Sequence, residues 1–216
     1  MKKYITFTCI VSCLFFAAAQ SKAGTDCSAV AGNLVNNCGF ETGDFTSWTL
    51  SGNDVPGEEG NLYGVEGTDP IDGISPLDGS YQTYIADLDS NATTLSQTFA
   101  TTAGNEYAIT FYAAQDTAPS AEYGNELEAT FGGVTLVDDS DVAVEGYTKY
   151  TYDVDATSGS STLDLTFGNG LGEFLLDDVS VVDTTPVVTP EPGSLLLFCT
   201  GLLTMVGVTR RRLGSR

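Results

Sequence analysis

The side chains able to do chemistry in this sequence are almost all carboxylates. There are 29 acids, eight bases and no histidine. Without histidine there is no Ser-His-Asp triad, no Cys-His dyad, no imidazole-bound zinc or haem, and no imidazole pH switch. Seven of the eight bases, Lys2, Lys3, Lys22, Arg210, Arg211, Arg212 and Arg216, stand near the two ends. Lys149 is the one base between residues 24 and 189, against 28 acids there, for a net of −27. Such a body repels phosphate, and it lacks the clustered Lys and Arg that bind nucleic acid. Acids cluster at Glu58-Glu59, at Asp138-Asp139 with Asp141, and at Asp177-Asp178. None has the D-x-D-x-D-G spacing of an EF-hand loop. Solvated loops of an acidic protein account for them, with weak surface calcium binding second. Paired carboxylates also hydrolyse glycosides, but no pair here stands in a recognisable motif.

The bases mark two addressing segments. Lys2 and Lys3 precede an apolar run over 5–19, and Ser21-Lys22-Ala23 follows. A charged start, an apolar centre and small residues at the cleavage positions predict a signal peptide over 1–23, cut between Ala23 and Gly24. At the other end, Pro190-Glu191-Pro192 precedes a predominantly apolar stretch of 14 residues over 195–208, and Arg210-Arg211-Arg212 close the run. That length is at the lower limit for a membrane span, and the arginines hold its end on the cytoplasmic side. These three parts in this order resemble the PEP-CTERM sorting signal, over about 25 residues. The resemblance implies a Gram-negative bacterium and a processing exosortase that cuts near Pro190–Pro192. It also implies transient membrane contact through the tail, and a destination in the cell envelope or extracellular matrix. The same tail is sometimes labelled an ice-binding-protein C-terminal domain; the body lacks the regular Thr-x-Thr repeat that ice binding would use.

Of five cysteines, Cys9 and Cys13 leave with the signal peptide and Cys199 lies in the apolar tail. Cys27 and Cys38 remain in an exported, oxidising setting, which predicts a disulfide between them.

The elements that must position these groups are strands. Residues 24–183 show no helical period, only short runs rich in Val, Thr, Tyr and Phe broken by Gly, Asn, Asp and Ser. Strands are expected at 33–36, 47–50, 81–86, 93–100, 106–114, 126–131, 134–137, 148–155, 161–167 and 174–182. Tyr107, Ile109 and Phe111 alternate with smaller or more polar neighbours, as do Leu163, Leu165 and Phe167. One buried face and one wet face indicate antiparallel sheets. About ten such strands predict an all-β, two-sheet sandwich over 24–183. A linker follows at 184–189, then the sorting signal at 190–213. The glycine- and acid-rich stretch 52–79 reads as a long loop excursion.

The segment Asn33-Leu34-Val35-Asn36-Asn37-Cys38-Gly39-Phe40-Glu41, with Gly43 and Trp48, resembles the opening motif of galactose-binding-like jelly rolls, bacterial carbohydrate-binding modules among them. Leu95-Ser96-Gln97-Thr98-Phe99, Gly104, Tyr107 and the closing Leu176-Asp177-Asp178-Val179-Ser180-Val181 extend the likeness across 33–182. The resemblance implies a jelly roll and a structural calcium held by Glu41 and Asp177, with backbone carbonyls completing it. Alternation along the last strand places Asp177 on the face of Leu175, Val179 and Val181, pointing inward. A buried carboxylate needs a partner, and the body has one base; backbone N–H groups are the alternative to calcium.

The aromatic residues leave sugar binding open. Trp48 reads as a core plug beside Leu50 rather than a sugar platform. Tyr81 and Tyr84 fall in or beside a strand. Tyr112 and Tyr123 flank the loop 113–124, as stacking platforms or as core edge. The expected function is a non-enzymatic surface or matrix protein whose module contacts exopolysaccharide. A calcium-dependent lectin and a polysaccharide hydrolase are the alternatives.

Overall fold

The computed structural model describes residues 26–52, 63–67, 70, 73–86, 92–117, 124–169 and 172–186. The signal-peptide and sorting segments, and Tyr123, lie outside them. Among the described residues no helix is long and apolar enough to cross a membrane.

Ten strands form a jelly-roll sandwich: β1 Thr49–Ser51, β2 Tyr63–Glu66, β3 Gln82–Ile85, β4 Thr93–Ala100, β5 Glu106–Gln115, β6 Asn125–Phe131, β7 Val134–Ser140, β8 Glu145–Asp155, β9 Ser160–Asn169 and β10 Phe174–Asp183. The first sheet runs β1-β4-β9-β6-β7 and the second β2-β3-β10-β5-β8. Every pairing is antiparallel. Strict alternation in β4 and β9 gives each strand one buried and one wetter side. Leu95, Leu127, Leu163, Leu165 and Phe167 of the first sheet meet Ile85, Ile109, Phe111 and Leu176 of the second, all fully buried. Each such side chain contributes about 1.5–3 kcal/mol by leaving water. Aromatic pairs bridge the layers: Tyr107 meets Phe131 at 5.8 Å and Phe167 meets Phe174 at 5.3 Å between ring centres. Gly132 and Gly133, at φ 57° and 81°, make the two-residue turn between β6 and β7, the left-handed pair that such a hairpin requires.

Two expectations change. Residues 33–36 form no strand. Asn33 serves as a side-chain substitute for one: its Oδ1 accepts from Val181 N (3.0 Å) and its Nδ2 donates to Val179 O (3.2 Å). Asn37 and Phe40, at φ 51° and 59°, then coil the chain back. The stretch 52–79 is not all loop, because β2 lies inside it, paired to β3.

Candidate functional site

The site of interest is built where the opening segment meets β10. Here β10 is bulged. Its pairing with β5 runs Asp177 opposite Tyr112, then Ser180 opposite Thr110, so β10 carries one extra residue. Asp178 takes the left-handed conformation (φ 48°) that absorbs it. The bulge changes the phase of the strand. Leu176, Val179 and Val181 join the core, whereas Asp177 shares the outer face with Tyr112. The expected placement of Asp177 beside Val179 and Val181 is therefore incorrect.

Asp177 is nonetheless fully buried, because other segments cover this outer face. Its Oδ2 accepts from the backbone N–H of Leu77 (2.9 Å) and of Asp78 (3.5 Å), and its Oδ1 from that of Asp178 (2.8 Å). Gln82 donates to Ile74 O at 2.9 Å, and Tyr147 on β8 donates to Gln82 Oε1 at 2.8 Å. Asp178 Oδ1 accepts from Cys27 N (3.2 Å), while its buried Oδ2 has no hydrogen-bond partner among the described residues. Burial pushes the Asp177 carboxyl up to about 8, with the Asp178 charge adding to the effect. Burial also raises Asp178, to about 6; the Cys27 N–H opposes this, and Asp78, Asp26 and Glu41 reinforce it. Burial, then Asp177 and Asp178, raise the Tyr147 hydroxyl.

Glu41 stands at the far end of the same turn. Its Oε1 accepts from Ser80 N (2.9 Å) and Tyr81 N (3.0 Å). Gly79, at φ 63°, passes so close beneath that a Cβ there would strike the Glu41 carboxylate. Glu41 and Asp177 thus grip two ends of one turn. Among the described residues no three acids or cysteines are grouped to hold a metal ion.

The opening segment is locked from within. Cys27 and Cys38 are joined by a disulfide, with Cα atoms 6.0 Å apart. Asn37 organises the loop that follows: its Nδ2 donates to Asp44 O (2.9 Å) and Thr46 O (3.1 Å), and its Oδ1 accepts from Thr42 N (3.2 Å). Trp48 donates Nε1–H to Asn37 O at 3.1 Å and stacks on Phe40 at 5.6 Å. It is 7 % exposed, a core plug and no sugar platform. Tyr81 is half-buried against Gly43, and Tyr84 is half-buried on the outer face near Gly64. Tyr112 is half-buried with the Lys149 ammonium 5.9 Å from its ring centre.

Between the opening segment and the 78–79 turn lies a cleft of about 660 Å³, lined by Asp26, Asn36, Glu41, Asp78 and Asp178 among others. Sequence reasoning singled out Glu41 and the Asp177-Asp178 pair but missed Asp26, Asp78, Gln82 and Tyr147. Their approach is long-range, and no local pattern announces it.

The fold has solved counterparts. The TmCBM61 structure in complex with beta-1,4-galactotriose is 20% identical, with a TM-score of 0.49 over 70% of this chain and 98% of that one. The CBM22-1 xylan-binding domain of Paenibacillus barcinonensis Xyn10C is 18% identical, at 0.45 over 69% and 93%. The K1 cleaved adhesin domain of Lys-gingipain from Porphyromonas gingivalis is 17% identical, at 0.48 over 68% and 96%. No curated protein matches the sequence. Residues 188–212 match the PEP-CTERM protein-sorting motif, the mark of an exported protein sorted to the cell envelope.

Proposed function

We propose that this chain is an exosortase-processed protein of the cell surface or extracellular matrix whose β-sandwich contacts exopolysaccharide without cleaving it. The observation that carries the reading is the sorting motif at 188–212, placed behind an exported-type, base-poor sandwich. The likeness of 33–41 and 176–181 to carbohydrate-binding modules supplies the sugar. Signal peptidase cuts after Ala23, exosortase cuts near Pro190–Pro192, and the producing cell is Gram-negative. Mass spectrometry of the protein released from native cells tests the processing: a chain beginning at Gly24 and ending near 190–192 is expected. A chain with both ends intact contradicts it. Incubation with a panel of polysaccharides tests the rest: retention without sugar release is expected, and released sugar would make the protein a hydrolase.

One structural calcium at Glu41 and Asp177 belongs to this reading. It is supported by a fully buried Asp177 carboxylate in a body with one base. A hard cation with six to eight oxygen ligands suits that chemistry, although backbone N–H groups already occupy Asp177 Oδ2 and Glu41 Oε1. Millimolar calcium is expected to raise the melting midpoint of the native protein and not that of Asp177→Ala. No rise in either removes calcium from the account.

A further inference from the structure

We propose that the cleft between the opening segment and the 78–79 turn binds a cationic sugar, the ammonium group of a hexosamine in a polysaccharide. The inference rests on the reading of the sandwich as a polysaccharide-contacting module. The cleft's size, about 660 Å³, falls within the range of about 300–1,000 Å³ typical of small-molecule sites. Among the described residues four carboxylates line it, from Asp26, Glu41, Asp78 and Asp178, and no lysine or arginine does.

The hydrogen bonds leave these carboxylates in a particular state. Asp26 gives one oxygen to Ser28 N (2.7 Å), Asp78 one to Gly79 N (2.8 Å), and Glu41 one to Ser80 N and Tyr81 N. Among the described residues these bonds leave the second oxygens of Asp78 and Glu41 without a protein donor, whereas Asp26 is also bonded by the Ser28 side chain and the Ala29 N–H. Asp178 goes further: it is 3 % exposed, and its buried Oδ2 has no hydrogen-bond partner among the described residues. Lys149, the one base of the body, lies over Tyr112 and lines a neighbouring cavity of about 290 Å³ rather than this cleft, with Asp178 in the wall of both. The wall therefore offers acceptors and a negative field. A carboxylate or phosphate ligand brings only more acceptors, and a neutral hydroxyl brings one hydrogen. An ammonium brings three donors and the opposite charge. The Cys27–Cys38 bridge holds Asp26 and the Cys27 N–H in place, so the wall is formed before the ligand arrives.

The test is calorimetric titration of the full chain in detergent, disulfide intact, in EDTA and near-physiological salt. The probes are a glucosamine trisaccharide, an N-acetylglucosamine trisaccharide and trilysine. The glucosamine trisaccharide is expected to bind at least about tenfold more tightly than either of the others. Asp26→Asn and Asp78→Asn, which leave the buried Asp178 intact, should each weaken it several-fold. Glu128→Gln on the first sheet, an equal loss of charge, should not. Equal binding of the acetylated probe, trilysine binding as well or better, or full affinity in the Asp26 and Asp78 variants overturns the proposal. If the acetylated sugar binds regardless of those variants, polysaccharide contact stands and the cationic ligand falls. If no sugar of either kind binds, both fall.

Discussion

Each sheet turns one face to the core and one away from it, and the two outward faces differ sharply. The outward face of the first sheet is open. Its hydroxyls pair across strands, Thr94 with Thr166 and Thr98 with Thr162, each at 2.9 Å. Its carboxylate Asp164 accepts from Ser96 at 2.8 Å. The outward face of the second sheet is roofed by the 74–79 stretch, by Tyr147 and by the disulfide-bonded turn. Both faces carry acids, but among the described residues the carboxyls raised to about 8 and about 6 lie under the roof. What a carboxylate costs depends on what covers it, and the cover comes from segments remote in sequence.

Substitutions that lift the roof should therefore cost far more than substitutions on the open face. Trp48→Ala removes the plug behind Phe40 and Asn37, and it should destabilise by about 3–5 kcal/mol in urea unfolding followed by circular dichroism. A loss under about 1 kcal/mol would show that the opening segment packs independently of the core. The pair Cys27→Ala, Cys38→Ala should cost about 2–4 kcal/mol, most of it through the unfolded chain. An unchanged midpoint would mean that the turn is held by Asn33 and Asp178 alone. On the open face, Thr98→Val should stay within about 0.5 kcal/mol of the native protein. A larger change would erase the contrast.

Much of this was legible along the chain. The alternation in Thr93–Ala100 marks β4 to the residue, because one face is core and the other is water. β2 was hidden: it is four residues long, contains Gly64, and carries no alternation of burial. Asn33-Leu34-Val35-Asn36 has a strand's composition, yet it coils because side-chain amides take over the ladder. Asp177 was placed on the wrong face for a physical reason. Leu175-Leu176 and Val181-Val182 allow either phase, so a one-residue bulge at Asp177-Asp178 leaves no trace in a period of two. Trp48 was legible as core, whereas Tyr147 meeting Gln82 across 65 positions was not.

The most direct measurement of the covered face is stability against pH in EDTA, between about pH 5 and 8, for the native protein and Asp177→Asn. Ordinary carboxylates have finished titrating below this window. Asp26, Asp44 and Asp183, held low by hydrogen bonds from Ser28, Thr42 and Asn105 respectively, act below it as well. Asp177 is raised to about 8 in the folded state, against about 4 in the unfolded chain. The folded state therefore keeps a proton that the unfolded state has released. That stabilisation is complete below the unfolded value and is lost as pH rises through the folded one. The melting midpoint of the native protein should fall steadily from pH 5 to 8, and Asp177→Asn should give a flatter profile with a higher midpoint at pH 8. A native midpoint that is level or rises across this window, with Asp177→Asn less stable at pH 8, would contradict a carboxylate held protonated under the roof.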